Sequence, residues 1–441
     1  MATIKFLGAS GTVTGSCYLI TSDKGTQIMI DCGMFQGSRD LVKLNYEPLD
    51  IDISKLAGVV LTHAHLDHTG RLPILIKNGF KGPIYATQAT IDLANLVLLD
   101  TAKIARENRE KTPLYTETDA EYTIQAMTAV EYHKEYKIND IKFVLRDAGH
   151  IMGSSFIELF VDGKKAVFSG DLGNYPEDLL APTEMIDSAD TVIMEATYGD
   201  RTHSPQDVRQ ILANEISQVE KTDGTLLIPS FSIERAQELL HLIDHLKHDG
   251  LILADTPVYL DSPMAIKATE IYKKYRNLYS KELSTHALSD DPFDFPALRL
   301  VQHASDSRKI WETVGPKVII AGSGMLNGGR IVKHLENYIT NPTTRLLFVG
   351  FQAHDTLGAR LVASPKKIKI KRIEYEVNAT INKCSSLSAH ADQPKLLKWI
   401  KSMANVKQVF LIHSEDQARL EFSKIINSAF MPKLHDVRNL F

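Results

Sequence analysis

The sequence predicts an α/β protein in which one domain is inserted into another, and three observations support this prediction. Residues 1–205 contain many short apolar runs bounded by Gly, Asp or Asn, as β-strands usually are. Over residues 206–375, strand-like and helix-like stretches alternate, which is typical of βαβ units and a mostly parallel sheet. Over residues 376–441 the strand-rich pattern returns, so this last segment is expected to complete the first domain.

The first segment opens with four expected strands, TIKFLG, SCYLIT, QIMID and GVVLTH. A helix is expected over roughly 89–110, where apolar residues recur at helical spacing. A Pro-led loop and a Thr N-cap then predict a second helix in PLYTETDAEYTIQAM. Further strands are expected in KFVLRDAGH, SSFIELF and KKAVFSGD.

The inserted segment alternates between the two kinds of element. Helices are expected in SPQDVRQILANEISQVE and ERAQELLHLIDHLKH, and strands in GTLLIPS and PVYLDSP. This order predicts that the segment forms its own parallel sheet with covering helices.

Composition excludes several classes of protein. The 441 residues are 44% hydrophobic and 24% charged, as in ordinary globular proteins, and the net charge of −4 gives no overall attraction for nucleic acid. The three cysteines show no CxxC spacing, which argues against a disulfide framework or a thiolate metal site. No apolar run is long enough for a membrane span or a secretory h-region. A cytoplasmic protein without a membrane partner is therefore expected.

Acidic residues and histidines follow the apolar runs in an unusual way. Six separate strand-like runs each deliver a carboxylate or an imidazole near their C-terminal ends: Asp31, His63, His150, Asp171, Glu195 and His413. Sites in layered α/β proteins form beyond strand ends, so these side chains are expected to converge. Unrelated polar residues at strand ends are the alternative interpretation.

The stretch LTHAHLDHTG contains four residues of the kind that bind metals, His63, His65, Asp67 and His68. Together with the residues that follow other strands, they are too many for one tetrahedral ion. They suit two cations about 3.5–4 Å apart, bridged by a carboxylate and a hydroxide. Ligation by nitrogen and oxygen without thiolate favours Zn²⁺, and Mn²⁺ or Fe²⁺ stay open.

These motifs resemble those of a known family. HAHLDH resembles the HxHxDH signature of the metallo-β-lactamase superfamily, and its order with Asp31, His150 and Asp171 resembles the first four motifs of that superfamily. MEATYGDR, SLSAHAD and FLIHSE resemble motifs A, B and C of its β-CASP branch of nucleic-acid-processing nucleases. The resemblance covers nearly the whole chain. It implies an αββα sandwich formed by residues 1–205 and 376–441, with a β-CASP α/β domain inserted at 206–375.

The resemblance also implies a role for each motif residue. One zinc ion would be held by His63, His65 and His150, the other by Asp67, His68 and His413, and Asp171 would bridge the two. Asp31 would orient a ligand imidazole, since ligating histidines usually donate their second N–H to an acceptor. His390 would lie beside the scissile phosphate, held by Glu195. Asp67, His390, Glu195 and Asp31 thus form the expected catalytic set.

The function implied is a zinc-dependent ribonuclease that hydrolyses single-stranded RNA by a two-metal, bridging-hydroxide mechanism. RNA is favoured over DNA because a histidine at motif C, here His413, accompanies RNA processing in this branch. Cleavage within the chain and cleavage from the 5′ end both stay open. A two-zinc hydrolase of a small thioester or lactam is the main alternative, and a silent RNA-binding scaffold is the third. The sequence neither requires nor excludes a homodimer.

Four residues are expected to contact the substrate. Ser230 and the pair Ser323 and Gly324 lie in turns between a strand-like run and a helix, where backbone N–H groups can bind phosphate. Tight turns with helix caps explain these residues equally well. Ser388, in the motif B stretch, is the fourth expected contact.

Overall fold

The computed structural model describes residues 1–107, 112–174, 179–203, 207–288, 290–350, 352, 356–384 and 387–441. These residues form two compact units, which are described separately. Unit 1 comprises Met1–Thr202 and Ala389–Phe441, and unit 2 comprises His203–Ser388.

The strands, numbered along the chain, are β1 (Thr3–Phe6), β2 (Cys17–Thr21), β3 (Gln27–Cys32), β4 (Leu56–Val60), β5 (Ile84–Ala86), β6 (Met127–Ala129), β7 (Glu135–Ile138), β8 (Ile141–Asp147), β9 (Ser155–Val161), β10 (Lys164–Phe168), β11 (Thr191–Glu195), β12 (Thr225–Pro229), β13 (Val258–Leu260), β14 (Leu298–Leu300), β15 (Lys317–Ala321), β16 (Thr344–Phe348), β17 (Lys367–Ile370), β18 (Ile373–Glu376), β19 (Thr380–Lys383), β20 (Gln408–Ile412), β21 (Ala429–Phe430) and β22 (Val437–Asn439).

The α-helices are α1 (Arg39–Lys43), α2 (Leu66–Thr69), α3 (Leu72–Lys77), α4 (Gln88–Glu107), α5 (Glu117–Gln125), α6 (Val208–Thr222), α7 (Arg235–His248), α8 (Pro263–Lys274), α9 (Lys281–His286), α10 (Ala304–Lys309), α11 (Gly329–Tyr338), α12 (Leu357–Val362), α13 (Gln393–Lys401) and α14 (Asp416–Ser423). The helix expected over 89–110 is α4, and its last three expected positions lie outside the described residues. Thr116 caps α5 as expected, by accepting a hydrogen bond from the backbone N–H of Asp119.

Unit 1 contains two seven-stranded sheets. Their strand orders are β22-β1-β2-β3-β4-β5-β6 and β21-β20-β11-β10-β9-β8-β7. An apolar core fills the space between them, with Phe6 and Ile30 from the first sheet and Phe168 and Phe410 from the second. Alternate residues of a strand point to opposite faces, so Ile193 enters this core while its neighbours in β11 face the other way.

Helices cover the outer face of each sheet. On the first sheet, Leu72 and Leu75 of α3 and Ile91 of α4 pack against strand residues such as Val59. On the second, Trp399 of α13 is fully buried with Val192. The expected αββα sandwich with an inserted α/β domain is confirmed.

Unit 2 contains a six-stranded sheet of order β14-β13-β15-β12-β16-β19. Every strand pairing in it is parallel, as the alternation of strands and helices predicts. Helix α11 supplies Ile331 and Leu335 to the core on one face of this sheet. Strands β17 and β18 form a separate antiparallel hairpin.

The expected return to the first domain at residue 376 differs from the structure. Strand β19 (Thr380–Lys383) pairs in parallel with β16, so it is an edge strand of the unit 2 sheet. The chain joins unit 1 only at Ala389. The sequence of a short strand does not indicate which of two sheets the strand joins. None of the helices within the described ranges combines the length and apolar character that crossing a bilayer requires.

Candidate metal and catalytic centre

The candidate centre lies in unit 1, where parallel strands of both sheets end. β3 and β4 are parallel neighbours in one sheet, and β10, β11 and β20 are parallel neighbours in the other. Most polar residues of the centre occupy the ends of these strands or the segments that directly follow them, whereas His150 follows β8 and His390 lies in the segment before α13. The convergence of ligand-type residues expected from the sequence is therefore a consequence of strand direction.

Two residues of the centre have a left-handed backbone. Asp31 has φ 55° and His413 has φ 47°, a region that L side chains adopt at some energetic cost. His413 directly follows β20, whereas Asp31 lies one residue before the end of β3, where the pairing register with β2 shifts. Gly33, just after β3, has no room for a side chain, since a Cβ there would lie 1.6 Å from the carbonyl oxygen of Asp67.

Three histidines and one carboxylate form a first cluster. Nε2 of His63 lies 3.1 Å from Nδ1 of His65, and Nε2 of His150 lies 3.3 Å from the same atom. Oδ2 of Asp171 lies 3.5 Å from Nε2 of His63 and 3.6 Å from Nε2 of His150. Spacings of this size suit four ligand atoms around one cation.

A second cluster faces the other oxygen of Asp171. Oδ1 of Asp171 lies 3.4 Å from Nε2 of His68 and 3.5 Å from Nδ1 of His413. Nε2 of His413 lies 3.3 Å from Oδ2 of Asp67. The two oxygens of one carboxylate thus face two separate groups of candidate ligands.

The carboxylate of Asp171 fits a metal bridge chemically. Asp171 is 1% exposed, and neither carboxylate oxygen has a hydrogen-bond partner among the described residues. A buried carboxylate without hydrogen bonds is costly, so the arrangement favours cations at both oxygens. Burial alone would raise the pKa of Asp171, but the imidazoles of His413 and His68 outweigh it and hold the pKa well below its usual range.

The first cluster is electrostatically prepared to bind a cation. Burial lowers the pKa of His65 to about 4. Burial, followed by the nearby imidazole of His68, holds the pKa of His63 well below its ordinary value. Burial, followed by the imidazole of His390, does the same for the pKa of His150. Neutral imidazoles offer the lone pair that a metal ion requires.

Asp31 contacts one candidate ligand in the manner expected of an orienting residue. Nδ1 of His68 donates to Oδ2 of Asp31 at 2.8 Å, which directs Nε2 of His68 toward Asp171. Thr62 donates to Asp31 from its backbone N–H and from its hydroxyl, both at 2.8 Å. The role of Thr62 is not predictable from the sequence, because a threonine near a strand end is common and its contact with Asp31 depends on the fold.

Removing the negative charge of Asp31 should weaken metal binding at the centre, although Asp31 is not itself a proposed ligand. Asp31→Asn is expected to lower metal affinity about 10–100-fold, the usual effect of losing such a partner. Competition with a chelating dye measures this affinity. Asp187→Asn, at an exposed position of the same unit, is the control. Equal affinities for both variants would contradict the orienting role.

His390 lies beside the first cluster and is paired with a carboxylate. Its Nδ1 is 3.3 Å from Oε2 of Glu195 and 3.9 Å from Oδ2 of Asp171, and its ring centroid is 4.7 Å from that of His150. Burial favours the neutral ring, but Glu195 and Asp171 outweigh it and raise the pKa of His390 to about 9. A backbone N–H, that of Leu172, donates to Oε1 of Glu195 at 2.6 Å and fixes the carboxylate.

Two further contacts were not identified from the sequence. The carbonyl oxygen of Ala389 accepts a hydrogen bond from Nδ1 of His150 at 3.0 Å, which directs Nε2 of that ring toward the cluster. The hydroxyl of Thr197 lies 3.0 Å from Nδ1 of His413. Backbone carbonyls carry no sequence signal, and Thr197 is distant from His413 in the chain.

The four expected substrate contacts all lie in unit 2. Ser230 follows β12 and Ser323 follows β15, which are neighbouring parallel strands, so these two turns lie side by side. The hydroxyl of Ser323 accepts a hydrogen bond from the backbone N–H of Asn327, as a turn cap does. A Cβ at Gly324 would lie 3.0 Å from the ring of Phe231, and Ser388 is half-buried. Their contact with a substrate stays a prediction.

Three family models match successive parts of the chain. The metallo-beta-lactamase superfamily matches residues 10–209, the Beta-Casp domain residues 236–361, and the Zn-dependent metallo-hydrolase RNA specificity domain residues 374–432. Ribonuclease TTHA0252 of Thermus thermophilus is 37% identical over 95% of this chain and 94% of its own length. The chain belongs to the β-CASP branch of the metallo-β-lactamase superfamily.

Two further relatives share a smaller fraction of identical residues with this β-CASP protein. An RNase J-like protein of Methanocaldococcus jannaschii is 31% identical over 97% of this chain and 96% of its own length. Cleavage and polyadenylation specificity factor 73 of Drosophila melanogaster is 29% identical over 95% of this chain and 61% of its own length. A crystal structure of a protein of unknown function from Enterococcus faecalis matches with a TM-score of 0.57 at 12% identity, covering 99% of each chain, and shows the fold alone.

Membership of this family confirms that the β-CASP protein is a metal-dependent hydrolase. It also confirms the resemblance predicted from HAHLDH and the three later motifs. The identity and number of the metal ions, and the role of each residue, are proposals.

Proposed function

We propose that this protein is a zinc-dependent ribonuclease that hydrolyses phosphodiester bonds of single-stranded RNA at a two-metal centre. The observation that carries the proposal is the position of the Asp171 carboxylate. One of its oxygens faces the imidazoles of His63 and His150, and the other faces those of His68 and His413.

The proposed ligands divide between the two positions. His63, His65 and His150 would hold one cation, Asp67, His68 and His413 the other, and Asp171 both. Two bound Zn²⁺ ions would supply the positive charge that activates water at neutral pH and polarises a phosphate. The ligand set of nitrogen and oxygen atoms suits Zn²⁺, and Mn²⁺ or Fe²⁺ would be tolerated by the same atoms.

His390 would provide the proton that the leaving oxygen needs. Its ring is 22% exposed, so it can reach a bound substrate, whereas Glu195 beside it is fully buried. An imidazole paired with a carboxylate can hold a proton near neutral pH and transfer it as a bond breaks. Glu195 would act by orienting the ring, since its own carboxylate is fixed by the backbone of Leu172.

RNA as the substrate is supported by the relatives and by one residue. The Thermus relative is named a ribonuclease, and the model matching residues 374–432 is described as an RNA specificity domain. The residue at the motif C position is His413, the type that accompanies RNA processing in this branch. Ser230, Ser323, Gly324 and Ser388 are proposed as contacts to substrate phosphates.

One assay separates the three candidate functions. Zinc-loaded protein is incubated with labelled single-stranded RNA, with a chromogenic lactam and with a thioester, each with and without chelator. Chelator-sensitive cleavage of RNA alone is expected. Hydrolysis of the lactam or the thioester without RNA cleavage would establish the small-substrate alternative. RNA binding without any hydrolysis would establish the scaffold.

The products should carry 5′-phosphate and 3′-hydroxyl ends. Attack by water on phosphorus does not involve the 2′-hydroxyl of the substrate. An RNA with a single 2′-deoxynucleotide at the cleaved position should therefore still be cut. End-group analysis by mass spectrometry is the measurement. Products with a 2′,3′-cyclic phosphate, or complete protection by the 2′-deoxynucleotide, would contradict this mechanism.

The remaining expectations stay predictions. They are a cytoplasmic location, a homodimer as one open oligomeric state, and a choice between cleavage within the RNA and cleavage from its 5′ end.

A further inference from the structure

Unit 2 contains a group of three histidines that the proposed ribonuclease function does not use. His241 and His245 lie one turn apart on α7, and His286 is the last residue of α9. Each offers a ligand atom, and these three atoms lie within 4.8 Å of one another. From the sequence, HLIDH is predicted only to be part of a helix, because His286 lies 41 residues after His245.

The geometry of the group resembles that of the first cluster in unit 1. Nε2 of His241 and Nε2 of His245 face each other at 3.2 Å. The ring centroid of His286 is 5.0 Å from that of His245 and 5.8 Å from that of His241. Two histidines four positions apart share one face of a helix, which is the usual helical arrangement for binding one metal ion.

A carboxylate supports the group from the same helix. Oδ2 of Asp244 lies 3.6 Å from Nε2 of His286. Such a carboxylate can orient a ligand imidazole or can itself occupy a coordination position. Asp244 is therefore placed to hold His286, which comes from a different helix, against the pair on α7.

The two ring nitrogens of His241 have different surroundings. His241 is 1% exposed, and its Nδ1 makes no hydrogen bond of normal geometry within the described residues. The nitrogen that faces His245 is Nε2. A proton on Nδ1, on the side of the Pro292 carbonyl, would leave the lone pair of Nε2 for a metal ion.

Charge explains why the two rings on α7 can lie so close together. Burial, followed by the charges that His245 and His286 would carry, lowers the pKa of His241 to about 3. Burial is also the main cause that lowers the pKa of His245. Neutral rings can pack closely without a cation, and the same neutral rings are metal ligands when a cation is available.

We propose that His241, His245 and His286 form a further metal site, which takes one Zn²⁺ or a similar divalent transition-metal ion and ties α9 to α7. Three imidazoles leave one position of a tetrahedron for water or for the carboxylate of Asp244. The absence of thiolate also permits Co²⁺ or Ni²⁺. The site is independent of the proposed ribonuclease centre, and its role is to stabilise unit 2.

The test uses the full chain carrying Asp171→Ala, so that metal bound at the centre in unit 1 does not obscure the metal bound in unit 2. The protein is stripped with chelator, reloaded with Zn²⁺ and desalted, and metal per chain is measured by elemental analysis. His245→Gln and His286→Gln are the test variants, since both positions are partly exposed and tolerate a polar side chain. His303→Gln, an exposed histidine of the same unit, is the matched control.

The control is expected to bind one more equivalent of Zn²⁺ than either test variant. Adding Zn²⁺ should also raise the melting temperature of the control, and this rise should be complete once the additional equivalent has bound. The melting temperatures of the test variants should not change. Co²⁺ should give tetrahedral visible absorption in the control alone. Equal metal content in all three proteins would overturn the proposal. A lower melting temperature of the stripped test variants, with no response to metal in any protein, would assign the rings a packing role and also overturn it.

Discussion

Asp171→Ala is expected to release the cations of the unit 1 centre and to reduce RNA cleavage to the level of chelated wild-type protein. Each carboxylate oxygen of Asp171 faces one cluster of candidate ligands, so a single substitution removes a ligand from both. Its removal also leaves the imidazoles without the negative charge that offsets a divalent cation in a buried site.

The measurement is elemental analysis of zinc beside single-turnover cleavage of labelled RNA. Asp171→Asn keeps the shape of the side chain and removes the charge, so it should lose metal too. Asp187→Asn, at an exposed position of the same unit, should behave as the wild type does. Full metal content at both positions of the centre in Asp171→Ala would contradict the bridging role.

His390→Ala is expected to lower the rate of RNA cleavage about 10²–10⁴-fold, the usual contribution of a general acid or base. The metal content should not change, because His390 is paired with Glu195 and is not among the proposed ligands. A loss of rate without a loss of metal would distinguish the role of His390 from that of His63. Substitution of His63 by Ala should lower metal content and activity together.

Glu195→Gln should give a smaller loss of rate, because the imidazole is still present but is poorly oriented. Combined with His390→Ala, it should add little further loss, since both changes remove the same proton transfer. Single-turnover rates, zinc content and melting temperature are measured for all three variants. Near-normal cleavage by His390→Ala with intact metal would exclude the proton-donor role, whereas loss of zinc and a large fall in melting temperature would favour a structural role.

The sequence predicted the architecture of the centre because its signals are local. Six apolar runs end at or near a carboxylate or imidazole, and parallel strands bring their ends to the same edge of a sheet. HAHLDH concentrates further ligand candidates in the loop after β4 and in the short helix α2. The alternation of strands and helices likewise predicted the parallel sheet of unit 2.

Contacts that depend on tertiary structure could not be predicted in this way. The Ala389 carbonyl that orients His150 has no side-chain signature, and Thr62 is identified only by its two hydrogen bonds to Asp31. The sheet to which β19 belongs depends on pairing with β16, which sequence periodicity does not encode. His286 joins His241 and His245 only because α9 lies beside α7 in the folded unit.

The central claim is that the metal centre of unit 1 cleaves RNA, and a zinc titration tests it most directly. The protein used is His245→Gln, stripped with chelator, so that the site proposed in unit 2 does not take up the added metal. Single-turnover cleavage of labelled single-stranded RNA is measured at each increment of Zn²⁺, beside the bound metal. Cleavage is expected to be absent from the stripped protein, to rise with occupancy, and to saturate at two equivalents per chain. Full cleavage by the stripped protein, or no cleavage at two bound equivalents, would contradict the account.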